Sequence, residues 1–207
     1  MKPTPAHEWL DFWWLDPEVI FLNHGAFGAC PKPVLEVQQQ LRQRLEQQPL
    51  KFLAQDLEGL LDEARRVLAE FVGADPLDLA FVPNATTGVN AVLRSLCFTP
   101  EDELLTTNHE YNACRNALDF VAARSGAQVV IAEISLPIQS PEQVIEAVMA
   151  KVSSKTRLVL LDHVTSQTGL VMPIQQLIAQ LKQRGIDTLI DGAHAPGSVP
   201  LNLQAIG

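Results

Sequence analysis

Five polar residues with side chains suited to acid, base or binding chemistry follow two apolar segments late in the sequence. They are, in chain order, Asp162, His163, Ser166, Asp191 and His194. Carboxylate, imidazole and hydroxyl groups can hold a ring nitrogen, donate a hydrogen bond to a substrate oxygen or bind a metal. If the fold brings the two segments together, these residues form a ligand site.

The elements that would position them are a strand, a helix and a second strand. The apolar runs 158–161 and 186–190 are predicted strands, and the helical pattern of residues 174–182 connects them. Strands that are apolar on both faces and joined by a helix indicate a parallel sheet covered on both sides. Ligands of such sheets bind outside the carboxyl ends of the strands, which is where the five residues lie.

The same alternation extends back to residue 77. The patterns predict strands over residues 79–82, 104–107 and 128–132 and helices that end at Leu96 or cover 111–124 and 141–151. The predicted fold class is therefore α/β, a three-layer sandwich with a mostly parallel sheet.

The residues before 77 do not show this alternation of strands and helices. An aromatic segment (residues 1–22) and a loop rich in glycine and proline (23–33) precede predicted helices over 34–47 and 57–72, the second of which stops at Gly73. The aromatic segment could dock onto the body of the protein or onto a second subunit. We expect residues 1–75 to form an N-terminal segment with helices and residues 76–207 to form a large ligand-binding domain.

Composition narrows the class of partner. The formal net charge of −9, without a dense Lys/Arg cluster, argues against nucleic acid or a membrane surface and favours small molecules. No apolar run is long enough to span a bilayer. The three cysteines are odd in number and lack CxxC spacing, which suits a reducing compartment. We therefore expect a cytoplasmic protein.

The turn of residues 84–88, Asn-Ala-Thr-Thr-Gly, lies between a predicted strand and a predicted helix. Free amides at a helix start and two hydroxyls favour an anion, most often a phosphate. Thr86 or Thr87 could equally be a plain helix N-cap. The turn lacks the GxxxxGK[ST] pattern of a P-loop and the GxGxxG pattern of a dinucleotide fold.

Three further residues each have two interpretations. Asp191 at a strand end could keep a ring nitrogen protonated or could form a turn or a helix cap. His194 could donate to a phenolic or substrate oxygen or could be a surface residue. Tyr111, the single tyrosine, could stack on a flat cofactor or pack at a helix start.

Five motifs in order carry a family resemblance. They are FLNHGAFG, NATTGVN, EDELLTTNHEYNA, DHVTSQTGLVMPI and DGAHAPG, and they span nearly the whole chain. Together they resemble the class V aminotransferase family of fold-type I pyridoxal phosphate (PLP) enzymes, in particular its isopenicillin N epimerase-like and cysteine desulfurase-like branches. The resemblance implies PLP as cofactor, an amino acid as substrate and a homodimer.

The resemblance also implies where PLP binds. Ala85, Thr86 and Thr87 at the helix start would bind the cofactor phosphate. Tyr111 would stack on the pyridine ring, and Ser166 would lie beside it.

The same resemblance implies the catalytic and substrate positions. Asp191 would pair with the pyridine nitrogen, and His194 would contact the phenolic oxygen. Asn23 and His24 would lie near the substrate.

The chain departs from the family pattern at its end. The family's Schiff-base lysine follows the DGAHAPG segment after a further strand, and the sequence stops at Gly207 before reaching it. The small C-terminal domain is absent as well. We therefore expect the N-terminal part of an enzyme, inactive alone, because no such motif surrounds Lys2, Lys32, Lys51, Lys151, Lys155 or Lys182.

Two other functions stay open at this point. One is a non-catalytic ligand-binding or assembly domain with the same fold. The other is a metal-dependent hydrolase built on Asp162, His163, Asp191 and His194, although no HExxH or comparable spacing supports it.

Overall fold

The computed structural model describes residues 7–207, with the side chains of residues 7 and 8 left out. Contacts group the chain into two units, residues up to Ala64 and residues from Arg65 to Gly207. The predicted boundary after residue 75 stays a prediction. None of the helices within the described range is both long and apolar enough to cross a membrane.

The first unit is helical. Its elements are α1 (His7–Leu10), α2 (Lys32–Gln47), α3 (Pro49–Lys51), a π-helical turn (Phe52–Asp56) and the start of α4 (Leu57–Val72). Phe52 is buried, and an ion pair of 2.7 Å joins Arg44 Nη2 to Asp56 Oδ2. The bounds of α4 match the prediction, and Gly73 follows with φ +67°, a conformation that glycine adopts without strain.

The second unit is built on a sheet of four parallel strands in the order β2-β1-β3-β4. The strands are β1 (Glu103–Thr107), β2 (Gln128–Ala132), β3 (Thr156–Asp162) and β4 (Asp187–Asp191). In the register of the last pair, Asp162 stands directly opposite Asp191. Because β1, β3 and β4 are neighbours in this order, their carboxyl ends lie side by side.

Helices cover both faces of this sheet, which confirms the predicted α/β sandwich. They are α5 (Ala85–Ser95), α6 (Asn112–Ser125), α7 (Pro141–Met149), α8 (Ile174–Gln183) and the short α9 (Leu203–Ile206). Leu158 and Leu160 pack with α5 and α6 in one apolar cluster. Val159 and Leu161 pack with α7 and α8 in the other, as side-chain alternation along a strand requires.

The predicted strand over residues 79–82 is wrong. A single 3₁₀ turn (Pro76–Asp78) precedes these residues, which form no regular element, and Phe81 and Val82 are about half exposed. A strand is stable only when a neighbour satisfies its backbone groups, and none of the four described strands pairs with this segment.

Candidate functional site

Three carboxylates lie together at the carboxyl edge of the sheet. Asp162 and Asp191 end β3 and β4, and alternation from Leu160 and Leu189 directs both toward α6. Glu110 follows β1 in the turn before α6, and Thr106 on that strand donates a 3.1 Å hydrogen bond to its Oε2 atom. All three carboxylates are at least 95% buried. We call this group the carboxylate cluster.

Asp191 is held at both of its oxygens. The Ala193 backbone N–H donates to Oδ1 at 3.0 Å, and the Cys114 thiol of α6 donates to Oδ2 at 3.0 Å. Each carboxylate oxygen has a further lone pair, so both can accept another donor. Asp191 is therefore oriented before any ligand arrives.

The other two acids are less well satisfied. Glu110 Oε1 and Asp162 Oδ2 are buried without a hydrogen-bond partner, and no ion pair in the described part of the chain reaches the carboxylate cluster. Burial, and then the charge of Asp162, raises the pKa of Glu110 to about 8. Burial, and then the charge of Asp191, raises the pKa of Asp162 to about 7. The cluster thus lacks a cation.

Two further buried groups next to these acids, Cys114 and His163, also have shifted pKa values. Burial and the Asp191 carboxylate raise the pKa of the Cys114 thiol, so the thiol stays protonated and remains a donor. Burial lowers the pKa of His163, which favours a neutral imidazole. His163 is one residue beyond Asp162 and lies among apolar residues of α8 and β4, on the opposite face of the sheet.

This arrangement does not support the hydrolase alternative. It requires Asp162, His163, Asp191 and His194 around one ion, yet alternation sends Asp162 and His163 to opposite faces. Among the described side chains, the group of three or more His, Cys, Asp or Glu residues whose ligand atoms all lie within 4.8 Å of one another is Glu110, Cys114 and Asp191. The thiol there donates a hydrogen bond to Asp191, and Asp162, His163 and His194 are not members of this group. The four residues of the hydrolase hypothesis are therefore not assembled around one point.

The start of α5 has a geometry suited to an anion, and its N-cap is a residue that the sequence analysis did not predict. Asn84 is the N-cap: its Oδ1 accepts from the Thr87 N–H at 2.8 Å and from the Thr87 hydroxyl at 3.0 Å. The alternative in which Thr86 or Thr87 caps the helix is therefore wrong. In the described chain the N–H groups of Ala85 and Thr86 have no acceptor and remain available. α5 packs against α6 and β4.

Tyr111 and Ser166 are accessible residues near neighbouring strand ends. Tyr111 immediately precedes α6, and its side chain is 42% exposed. Ser166 is exposed in the loop after β3, whose base is fixed by a 2.7 Å hydrogen bond between the hydroxyls of Thr165 and Thr168. Both positions are compatible with a ligand at the sheet edge.

The remaining predicted site residues divide between the two units. His194 is half-buried in the turn after β4, which a 3.0 Å bond from the Ala195 N–H to the Gly192 carbonyl closes. Asn23 and His24 lie in the first unit and are exposed. The Asn23 side chain accepts from the Ala26 N–H at 3.3 Å, and the His24 ring lies edge-on to Phe21 at 4.6 Å.

An apolar cavity of about 370 Å³ lies on the opposite face of the sheet from the carboxylates. Its wall includes Ile174 and Ile178 of α8, Ile190 of β4, and Leu201, Leu203, Ile206 and Gly207 near the end of the chain. Among the described residues, His163 is the one titratable side chain in this wall, whereas the carboxylate cluster brings three acids and a thiol together.

Sequence reasoning missed three contributors to the site. The sequence patterns give no role to Glu110 or Cys114, and they name Thr86 or Thr87, not Asn84, as the possible helix cap. Asn84 alone had a sequence signal, because asparagine is a preferred N-cap residue. Glu110 and Cys114 acquire their importance from contacts with strands distant in sequence.

Comparison with known proteins places the chain in a family. Residues 20–207 match the family described as aminotransferase class-V. The isopenicillin N epimerase of Streptomyces clavuligerus is 37% identical over 93% of this chain and 48% of its own length. A probable chloroplastic L-cysteine desulfhydrase of Arabidopsis thaliana is 28% identical over 93% of this chain and 44% of its own. The chain spans about half the length of the curated relatives it matches.

Solved structures agree with this placement. The cystine C-S lyase C-DES, in complex with its product cysteine persulfide, superposes with a TM-score of 0.83 at 28% identity, over 90% of this chain and 50% of that one. A mutant of C-DES with glycine covalently linked to its PLP cofactor gives a TM-score of 0.80 at 27% identity, with the same shares of each chain covered. The predicted fold class and family resemblance are confirmed.

Proposed function

Because the chain belongs to the class-V aminotransferase family, whose members use PLP, we propose that it forms the cofactor-holding part of a PLP enzyme acting on an amino acid. The observation that carries this proposal is the buried, pre-oriented Asp191, which ends a parallel strand among acids that have no cation. A protonated ring nitrogen supplies the missing positive charge and the missing donor.

The residues at the start of α5 and at the carboxyl ends of the strands suit the chemical groups of PLP. The free N–H groups of Ala85 and Thr86 at the positive end of α5 suit the phosphate. Asp191 suits the ring nitrogen, and the exposed ring of Tyr111 suits the face of a flat heterocycle. Two residues complete the cofactor site in this proposal, namely Ser166 beside the ring and His194 at the phenolic oxygen.

When bound, PLP supplies an electron sink for negative charge that develops at the substrate's α-carbon. Asp191 holds the proton on the ring nitrogen, and the Ala193 N–H and Cys114 thiol keep that carboxylate from rotating away. His194 would donate a hydrogen bond to the phenolic oxygen and help to orient the cofactor. The family resemblance is the ground for expecting Asn23 and His24 near the substrate, and this stays a prediction.

The reaction belongs to one of three classes, epimerisation, C–S cleavage as in a lyase or desulfurase, or amino transfer. The similarity to an isopenicillin N epimerase and to L-cysteine desulfhydrases supports the first two. We propose a cytoplasmic homodimer, because the cysteine usage suits a reducing compartment and homodimers are typical of the fold.

The chain by itself would hold PLP without a covalent bond. Lys155 precedes β3 and pairs with Glu101 at 3.1 Å, while Lys151 follows α7 and Lys182 lies in the last turn of α8. All three therefore lie toward the amino edge of the sheet, away from the carboxylates. The other lysines are Lys32 and Lys51 in the first unit and Lys2 outside the described residues.

Binding of pyridoxine 5′-phosphate tests the cofactor assignment, because this analogue lacks the aldehyde that reacts with lysine. We expect saturable binding by the full chain and about a tenfold or greater loss of affinity in Asp191→Asn. The control is Asp187→Asn, which removes a carboxylate from the exposed beginning of the same strand. Absence of binding, or equal losses in both variants, would contradict the assignment.

A covalent test addresses the lysines. The chain is mixed with PLP and reduced with borohydride, and the modified peptides are identified by mass spectrometry. We expect scattered, substoichiometric labelling, since no lysine of the larger unit reaches the carboxylate edge. A single stoichiometric adduct, together with turnover of an amino acid, would show that the chain carries its own catalytic amine.

A further inference from the structure

We propose that Glu110 and Asp162 are positioning residues that release protons when a cationic ring nitrogen binds beside Asp191. The site would then recognise the protonated ring through the charge of all three carboxylates. This inference rests on the proposed cofactor and goes beyond it, because it gives a role to two acids that need not touch the ligand.

The first observation is geometric. Asp162 and Asp191 are register partners on adjacent parallel strands, with side chains on the same face. One oxygen of Glu110 lies within 4.8 Å of a carboxylate oxygen of Asp191 and of the Cys114 sulfur. Three acids thus share one buried volume at the ends of β1, β3 and β4.

The second observation is the lack of compensation. Glu110 faces the Thr106 hydroxyl from β1, Asp162 and Asp191 from β3 and β4, and the Cys114 thiol from α6. The His109 ring is bonded to the Ile134 carbonyl at 2.9 Å. No cationic side chain from these packed elements opposes the acids. Three ionised carboxylates cannot coexist there without a large Coulomb penalty, so some hold protons.

The unpartnered oxygens point to a ligand that is positively charged. Glu110 Oε1 and Asp162 Oδ2 are buried and accept no hydrogen bond, an arrangement that is unfavourable while the acids are ionised. A cation placed at Asp191 stabilises the ionised forms, and the released protons pass to bulk water. Binding and proton release are then linked, and raising the pH through the range of the cluster strengthens the preference for a cationic ring.

Two matched ligands isolate this effect. Pyridoxine 5′-phosphate has the ring nitrogen, and its 1-deaza analogue has carbon in that place with the same phosphate and hydroxyls. The affinity ratio between them is measured as a function of pH by calorimetry with the full chain. The variants are Glu110→Gln and Asp162→Asn, and the control is Glu133→Gln, which removes an exposed carboxylate after β2. The ligands' own ionisation is the same for every protein and cancels in the comparison.

We expect the wild-type chain and the Glu133→Gln control to prefer the nitrogen-containing ring more strongly above pH 8 than near pH 6. Above pH 8 each site variant should show about a tenfold weaker preference than wild type, and near pH 6 the proteins should converge to within about twofold. A purely structural role would lower the affinity for both ligands alike and leave the ratio unchanged.

The outcomes separate two failures. If the wild-type chain binds neither ligand, the proposed cofactor and this inference both fall. If it binds the nitrogen-containing ring preferentially but Glu110→Gln and Asp162→Asn have the wild-type pH profile, the cofactor assignment stands and the inference is overturned. Should a variant fail to fold, proton release decides: wild type must release more protons with pyridoxine 5′-phosphate than with the deaza analogue above pH 6, and equal release overturns the inference.

Discussion

The two faces of the sheet are alike along most of their length and differ where the strands end. Under α7 and α8 the buried surface stays largely apolar: Leu161 of β3 and Leu177 of α8 belong to one apolar cluster, and His163 is the polar residue beyond it. Under α5 and α6 the same strands bury Leu158 and Leu160 and then present Asp162. One face can serve stability alone, while the other combines stability with a charged site.

This difference shows how the protein can keep three acids in its interior. An unpaired buried charge costs several kcal/mol, and raised pKa values reduce that cost because the acids take up protons. Each leucine buried along the strands contributes about 1.5–3 kcal/mol in the opposite direction. The apolar layers on both faces therefore offset the free-energy cost of burying the carboxylates, and this cost falls when a cation binds.

The largest expected effect tests whether both faces contribute equally to the core. Leu160→Ala and Leu161→Ala each remove a fully buried side chain, one from each face. Each should lower the free energy of unfolding by about 2–5 kcal/mol, through lost burial and a residual cavity. Denaturant titration of both variants measures it. A loss below about 1 kcal/mol for Leu160→Ala alone would mean that the carboxylate face is loosely packed.

The next effect is a pH dependence that only the carboxylate face should possess. The pKa of Glu110 is about 8 in the folded chain, against 4.5 for an unperturbed glutamate, so the native state binds more protons between these values. The stabilisation that the proton on Glu110 gives the folded chain is fully present below the unperturbed pKa. It is lost as the pH rises toward the pKa of the folded chain. Glu110→Gln removes this loss, and near pH 9 the variant should be more stable than wild type by about 2–4 kcal/mol.

The control for this prediction is Glu133→Gln, whose stability should follow wild type at every pH. Near pH 5 the Glu110→Gln variant should match wild type within about 1 kcal/mol, because Glu110 is then protonated in the native state. Parallel curves for wild type and Glu110→Gln from pH 5 to about pH 9 would show that Glu110 is ionised at little cost and would remove the contrast between the faces.

Much of this contrast could be predicted from the sequence, because it follows from periodicity. Apolar runs and helical spacing located all four strands of the sheet and the helices α5 to α8, and the register then placed Asp162 beside Asp191. The short α9 was not predicted. The segment 79–82 was misassigned because a strand needs a partner that local sequence does not reveal. Glu110 and Cys114 were overlooked for a similar reason: Cys114 and Asp191 meet across 77 positions of sequence.

A smaller effect concerns the thiol that links α6 to β4. Cys114→Ala removes the donor to Asp191 Oδ2 from a buried site and should destabilise the chain by about 1–3 kcal/mol. Cys114→Ser keeps a donor at that position and should retain more of the affinity for pyridoxine 5′-phosphate than Cys114→Ala does. Unfolding and ligand titrations of both variants test this. Equal affinities would mean that Ala193 alone orients Asp191.

The smallest effect separates helix capping from anion binding at the start of α5. Asn84 Oδ1 accepts from the Thr87 N–H, so Asn84→Ala should cost about 1 kcal/mol of stability through loss of the cap. Asn84→Asp keeps the acceptor and should retain that stability, but it places a negative charge beside the free N–H groups of Ala85 and Thr86.

If these N–H groups bind the ligand phosphate, Asn84→Asp should weaken pyridoxine 5′-phosphate binding more than Asn84→Ala does, in spite of its intact cap. Phosphate-free pyridoxine serves as the control ligand, because its affinity should be nearly the same for both variants. The opposite order, with the alanine variant the weaker binder, would mean that helix order and not charge at the start of α5 governs binding. The anion would then have to be held elsewhere on the carboxyl edge of the sheet.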